Sequence, residues 1–309
     1  MWRTYVICVL IGLLLVSSGS SVVLLRQVIS TQDEVARLRQ QARQVGNPTA
    51  TAAPVAAPVP TVQVSGADSA VVQQIEADVA GLRGLQSRAS VPLRFLDQQA
   101  LQRYFLDKFN QDYLPNDRES DQKLLTTLGV INSRETVVQI LLDVLQEQII
   151  GIYDQDDKAM YLVADNGQFG PDEKGTFAHE YVHALQDQYF DLTTLAPKHP
   201  QNDDRSLAIL ALTEGDATLM QRLWAQKALT ADEINQLGQG SPTSKLLSAP
   251  LFMREQLLFP YTDGFNFIRQ IYQATGSAGI DDVFRNPPDS TAQILHMDKY
   301  RNHVAPVEV

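Results

Sequence analysis

Between Asn47 and Asp68 the chain reads NPTATAAPVAAPVPTVQVSGAD, a stretch of Ala, Pro, Thr and Val from which no packed core can be built. It is expected to be an extended, polyproline-like linker, residues 47–67, so that everything foldable lies in residues 68–309. The single cysteine, Cys8, falls on the far side of that linker. The folded part therefore has neither a disulfide nor a thiolate metal site, and any metal it binds must sit on histidine and carboxylate.

Ahead of the linker, Thr4 to Leu25 is a run of 22 residues without a charge. As a helix it would be roughly 33 Å long, against a bilayer core of about 30 Å. Residues 1–25 are accordingly expected to form a single-pass membrane anchor. A cleaved signal peptide is the alternative, with Ser18-Gly19-Ser20 as the small residues at the cut. Residues 26–46 are expected to extend that segment as a juxtamembrane helix. Arg26, Arg37, Arg39 and Arg43 follow the span and Arg3 precedes it, which by count favours a cytoplasmic domain. A short leading tail tends to stay inside while a long acidic domain crosses, and the expectation is an extracytoplasmic catalytic domain. With 36 acidic against 25 basic residues, the net charge is −11, which excludes a nucleic-acid partner.

Within residues 68–309, Val71, Val72, Ile75, Val79 and Leu82 recur at helical spacing. A strand is predicted over Val91 to Asp97 and helices over Gln98 to Gln111, Asp121 to Leu128 and Glu135 to Gln148. Ile149 to Tyr153 and Ala159 to Val163 flank the polar Asp154-Gln-Asp-Asp-Lys158 and predict a hairpin. Its acids lack calcium-loop spacing and read as a solvated turn. Helices follow from Pro171 to about Tyr189 and from about Asp204 to Ala228, then a helical remainder broken at Pro242, Pro250, Pro260 and Pro287-Pro288. The pattern predicts an α+β fold, a small sheet with helices in the first half and helices alone in the second.

The string that points to chemistry is Thr176-Phe-Ala-His179-Glu180-Tyr-Val-His183-Ala-Leu-Gln186-Asp187. Residues i and i+4 of a helix are offset by about 40° and 6 Å, so His179 and His183 can reach one ion from one face. Glu180 beside them can take a proton from the attacking water. The hairpin strand just before the helix offers an exposed edge for an extended peptide. A catalytic zinc keeps three protein ligands, and Glu214 in Ala211-Leu-Thr-Glu214-Gly-Asp216-Ala is the expected third. It falls on the otherwise uncharged stripe of Leu207, Leu210, Ala211 and Thr218, and Gly215 and Ala217 allow a second helix close. Asp216 points about 200° away. His199, in a Pro-flanked loop, reads as solvated. Asp187, one turn past His183, is expected to orient an imidazole through its second nitrogen.

HEYVH followed by TEGDA resembles the gluzincin group of zinc metallopeptidases, to which thermolysin belongs. GIYDQDDKAMYLV, AHEYVHALQDQ, ALTEGDATL, FPYTDGFNFI and PPDSTAQILHMDKY resemble a group of poorly characterised bacterial predicted metallopeptidases, over about Val91 to Tyr300. The resemblance implies a zincin-like fold and zinc peptidase activity on a peptide or protein substrate, with Zn2+ on His179, His183 and Glu214 and Glu180 as base. Thr218 stands where thermolysin-like enzymes place an Asp, and the spacing to Glu214 is longer. A donor for the developing oxyanion is expected from His296, near the end of a short helix opened by a Ser290-Thr-Ala-Gln293 capping box, or from Tyr261 in the turn after Pro260. The alternatives are a non-catalytic binding or assembly protein on the same fold, and a zinc amidase acting on a non-peptide substrate.

Overall fold

The computed structural model describes residues 66–163, 169–196, 202–237 and 244–307. The predicted anchor, the juxtamembrane helix, residues 47–65 of the linker, His199 and Pro242 lie outside the described residues. Among the described residues no helix is long and apolar enough to cross a membrane. The expectation of a single-pass, membrane-anchored protein with an extracytoplasmic domain is therefore corrected.

The chain enters as α1 (Gly66–Arg83), two residues earlier than its apolar spacing predicts. Strand β1 (Leu93–Leu96) ends at Asp97, whose side chain accepts from the Ala100 N–H and caps α2 (Gln98–Asp112). Helix α3 (Pro115–Thr127) starts six residues ahead of the predicted Asp121. Its first position is a proline, which forfeits only an N–H that the first turn leaves free anyway. Thr136 caps α4 (Val137–Gln148) through the Gln139 N–H. The predicted hairpin forms as β2 (Gly151–Asp154) and β3 (Ala159–Val163). Asp154 accepts from the N–H groups of Asp156 and Asp157 at 2.7 and 3.0 Å, so its carboxylate closes the turn.

The three strands lie in the order β1-β3-β2. Strand β1 runs parallel to β3 with Phe95 beside Leu162, and β2 runs antiparallel with Tyr153 beside Met160. Alternate residues face opposite ways. Phe95, Tyr153, Met160 and Leu162 join one core cluster, while Leu96, Ile152, Tyr161 and Val163 join the other with Leu101, Phe105, Phe109 and Leu141 of α2 and α4. Strand β3 is buried throughout, which is why Ala159-Met-Tyr-Leu-Val163 reads as a continuous apolar run.

The other face of the sheet receives α5 (Pro171–Phe190), after which come the short α6 (Leu192–Leu195) and the long α7 (Asp203–Ala228). Pro171 at the first position, with Asp172 and Glu173 in the first turn, suits the positive end of α5. Gly151 lets α5 settle on the sheet, because a Cβ there would lie 2.5 Å from Thr176 Cγ2. Asn202 caps α7, which is buried on every face from Ala208 to Met220. The chain continues through α8 (Ala231–Gln236), α9 (Ser244–Ser248) and α10 (Leu251–Phe259).

Pro260 does not break the helix, contrary to expectation. Residues Pro260–Gly264 form a π-helical turn leading directly into α11 (Phe265–Arg285). The wider turn accommodates a residue without an N–H. Helices α12 (Thr291–Leu295) and α13 (Met297–Arg301) close the described chain. Ser290 stands at the start of α12 as predicted, but its side chain makes no cap. Gln293 instead accepts from the Asp289 N–H at 2.9 Å and donates to the Val304 carbonyl. The observed class is α+β, as expected, with the second half entirely helical among the described residues.

The π-turn crosses α7 backbone to backbone. A Cβ on Gly215 would lie 2.4 Å from the Gly264 carbonyl carbon, and one on Gly264 would lie 2.2 Å from the Ala211 carbonyl oxygen. Neither obstacle is a side chain that can swing away. Gly215→Ala is expected to destabilise the protein by about 1–3 kcal/mol through overpacking. Gly81→Ala, with nothing within 4 Å of the new methyl, is expected to be neutral or to stabilise α1 by up to about 1 kcal/mol. Thermal unfolding of the two variants beside the wild type measures both.

Candidate metal centre

Helix α5 presents His179 and His183 one turn apart, their rings edge to face with centroids 4.8 Å apart. Helix α7 brings Glu214 against them. Its Oε2 lies 3.1 Å from His179 Nε2 and 3.5 Å from His183 Nε2, so one carboxylate oxygen faces both ring nitrogens. The ligand atoms of all three residues lie within 4.8 Å of one another. Four bonds of about 2.0–2.1 Å at tetrahedral angles hold ligand atoms about 3.3 Å apart, so small shifts would seat a zinc ion among these three. His179 is wholly buried, and Glu214 and His183 are 3% and 5% exposed. His183 Nε2 is buried and makes no hydrogen bond of normal geometry, so once it gives up its proton its lone pair is open to a cation. The sequence-predicted ligand set is thus brought together.

Burial and facing charges compete in the electrostatics. Burial would raise Glu214 and lower His183, but the facing charges reverse both effects. The histidines hold the Glu214 carboxyl down at about 2, and Glu214 pushes the His183 imidazolium up to about 9. For His179, burial prevails and depresses its imidazolium. Glu180, also wholly buried, is pushed up to about 7 by desolvation. Its Oε2 accepts the Tyr153 backbone N–H at 2.7 Å, while its Oε1 has no partner.

That bond revises the expectation for the strand edge. Strand β2 is the edge of the sheet beside α5, but all four of its residues are buried. The Tyr153 N–H, which a docking peptide would need, is held by Glu180. The edge is covered rather than exposed, because α5 lies directly over it.

Asp187 orients neither imidazole. One turn past His183 it has moved along α5 toward the hairpin, where its Oδ2 accepts from the Tyr153 hydroxyl at 2.7 Å and from Lys158 Nζ at 2.6 Å. Its Oδ1 accepts the Leu192 N–H at 3.1 Å. The residue that meets the second nitrogen of His183 is Gln186, whose Oε1 lies 3.0 Å from Nδ1. Its position three residues after His183 is readable from the sequence, but a neutral amide carries no charge to mark it as an imidazole's partner. Asp216 turns away from the cluster, as its 200° offset predicts, and pairs with the fully buried Arg83 at 2.9 Å. Nothing in the sequence around Arg83 marks that pairing.

The two candidate oxyanion donors part ways. His296 is exposed at the junction of α12 and α13 and does not belong to the buried cluster. Tyr261 is 5% exposed on the π-turn, an element packed against α7, with Leu257, Leu258 and Met253 in its core cluster. No family model, curated protein or solved structure matches the chain.

Because Glu214 is already ionised and His179 already neutral near pH 8, seating a divalent cation requires the loss of one proton, that of His183. The sign follows from its raised value: affinity rises with pH and levels off above about 9. Zinc affinity measured by chelator competition is expected to increase about tenfold per pH unit between pH 7 and 8, and less steeply as pH nears 9. His183→Ala should remove that slope along with most of the affinity.

Proposed function

We propose that this protein is a zinc-dependent hydrolase that cleaves an amide bond in a peptide or protein substrate. The observation that carries the reading is one carboxylate oxygen of Glu214 facing the Nε2 atoms of His179 and His183 at 3.1 and 3.5 Å, with the unpartnered Oε1 of Glu180 buried beside them. Two neutral nitrogens and one carboxylate oxygen are a donor set suited to zinc, and three ligands leave a fourth position for water or substrate. A zinc ion held there would supply Lewis-acid polarisation of the scissile carbonyl and make water a nucleophile near neutral pH.

The chain's own residues do the rest. His179 and His183 act as neutral donors, and Glu214 brings the negative charge that a dication requires. Glu180 is close enough for its carboxyl to sense both His183 and Glu214, and its value near 7 suits a group that accepts a proton from water and returns it to the departing amine. The Tyr153 N–H fixes one Glu180 oxygen, leaving the other to handle the proton. An antiparallel edge strand lying over the helix that carries both histidines supports a zincin-like reading of the fold.

A second reading rests on the complete burial of His179 and Glu180. A closed site of this kind suits a metal that braces the fold of a non-catalytic protein. One experiment separates the two: metal content of the purified protein, followed by cleavage of a peptide library by wild type and Glu180→Gln. The hydrolase reading expects one zinc per chain in both forms and a rate about 10²–10⁴-fold lower in the variant. Zinc without cleavage, together with a fall in melting temperature on chelation, would establish the bracing role. A wild type that takes up no zinc under zinc-replete conditions would sink both.

A further inference from the structure

Behind the metal centre lies a line of buried polar groups to which the proposed reaction assigns no role. Gln186 places its Oε1 3.0 Å from His183 Nδ1. Its amide nitrogen donates to the Thr213 carbonyl and to Asp216 Oδ2, both at 3.0 Å. The Thr213 carbonyl can only accept, and the same Asp216 oxygen already accepts from Arg83 Nε, so the amide has one allowed direction. Turned over, it would set its oxygen against a carbonyl and a carboxylate at hydrogen-bond range. With Oε1 committed to His183, the proton between them must belong to Nδ1.

Asp216 is itself held from behind. It accepts from Arg83 Nε at 2.9 Å, and Arg83 Nη1 donates to Asp281 of α11 at 2.7 Å. Arg83, Gln186 and Asp216 are wholly buried, so water does not offer the amide an alternative partner.

We propose that Gln186, locked by Asp216 and the Thr213 carbonyl, is a positioning residue that fixes His183 as its Nδ1–H tautomer and thereby presents the Nε2 lone pair to a divalent cation shared with His179 and Glu214. This rests on the zinc reading above. A ligand histidine commonly donates its second N–H to a carboxylate or a backbone carbonyl. Here a neutral amide stands between the ring and the carboxylate. The arrangement keeps Asp216 one side chain removed from a cluster that already buries Glu180 and Glu214, so orientation is obtained without a third negative charge against the metal.

The test uses the full chain and zinc ion as probe. Affinities are compared by chelator competition for the wild type, Gln186→Met and Gln188→Met, the last a control on the same helix whose amide contacts Arg88 and Ala89 instead. Gln186→Met is expected to bind zinc about 10–100-fold more weakly, with Gln188→Met unchanged. In parallel, ¹⁵N spectra of histidine-labelled, zinc-loaded wild type are expected to show His183 protonated on Nδ1 and bound to metal through Nε2. Undiminished affinity in a folded Gln186→Met, or a metal on Nδ1, overturns the inference while leaving the zinc reading intact. Failure of the wild type to bind zinc overturns both. The spectra need no variant, so a Gln186→Met that does not fold leaves the question decidable.

Discussion

Two carboxylates stand two residues apart on a helix that is buried on all sides, and neither can remain charged there without a cation. Much of the arrangement around α7 answers that constraint. Asp216 takes the guanidinium of Arg83, the last residue of α1, which in turn takes Asp281 from α11. Glu214 takes the two imidazoles of α5. Close packing at the Gly215–Gly264 crossing already resists sliding of α7. Its two buried charges register it further, because any slip strands a carboxylate in low dielectric at a cost of several kcal/mol.

Tyr153 supplies the corresponding registration between helix and sheet. Its backbone N–H goes to Glu180 and its hydroxyl to Asp187, so one strand residue grips α5 at two points seven residues apart, roughly two turns. Lys158, at the far end of the hairpin turn, adds a third contact through Asp187. The three-stranded sheet is small, but it is pinned to the helix bearing the histidines by polar bonds as well as by the packing of Phe177 and Val182.

Much of this was legible in the residues themselves. The i, i+4 spacing of His179 and His183 and the uncharged stripe through Glu214 depend on local helical geometry, which sequence expresses directly. The hairpin was legible for the same reason, since β-branched and aromatic residues flank a polar turn. What escaped were relations between distant segments. Arg83 precedes Asp216 by 133 positions, and no periodicity couples them. Asp187, one turn past His183, has the spacing expected of a group that orients an imidazole. The Tyr153 hydroxyl and Lys158 already occupied it, and that competition exists only once the hairpin is folded over α5. Pro260 failed as a break because the rule assumes i to i+4 bonding, which the π-turn relaxes.

The Arg83 to Asp281 bond also says how much chain the centre needs. It ties the first described helix to the last long one, so the groups behind His183 are complete only when residues near both ends of the fold are present. Helices α5 and α7 together span about sixty residues and contain every expected ligand, yet as a fragment they would hold Asp216 without its counter-ion. The candidate metal centre is thus a property of the whole domain rather than a portable cassette, and a graft of the two helices onto another scaffold would have to bring its own arginine.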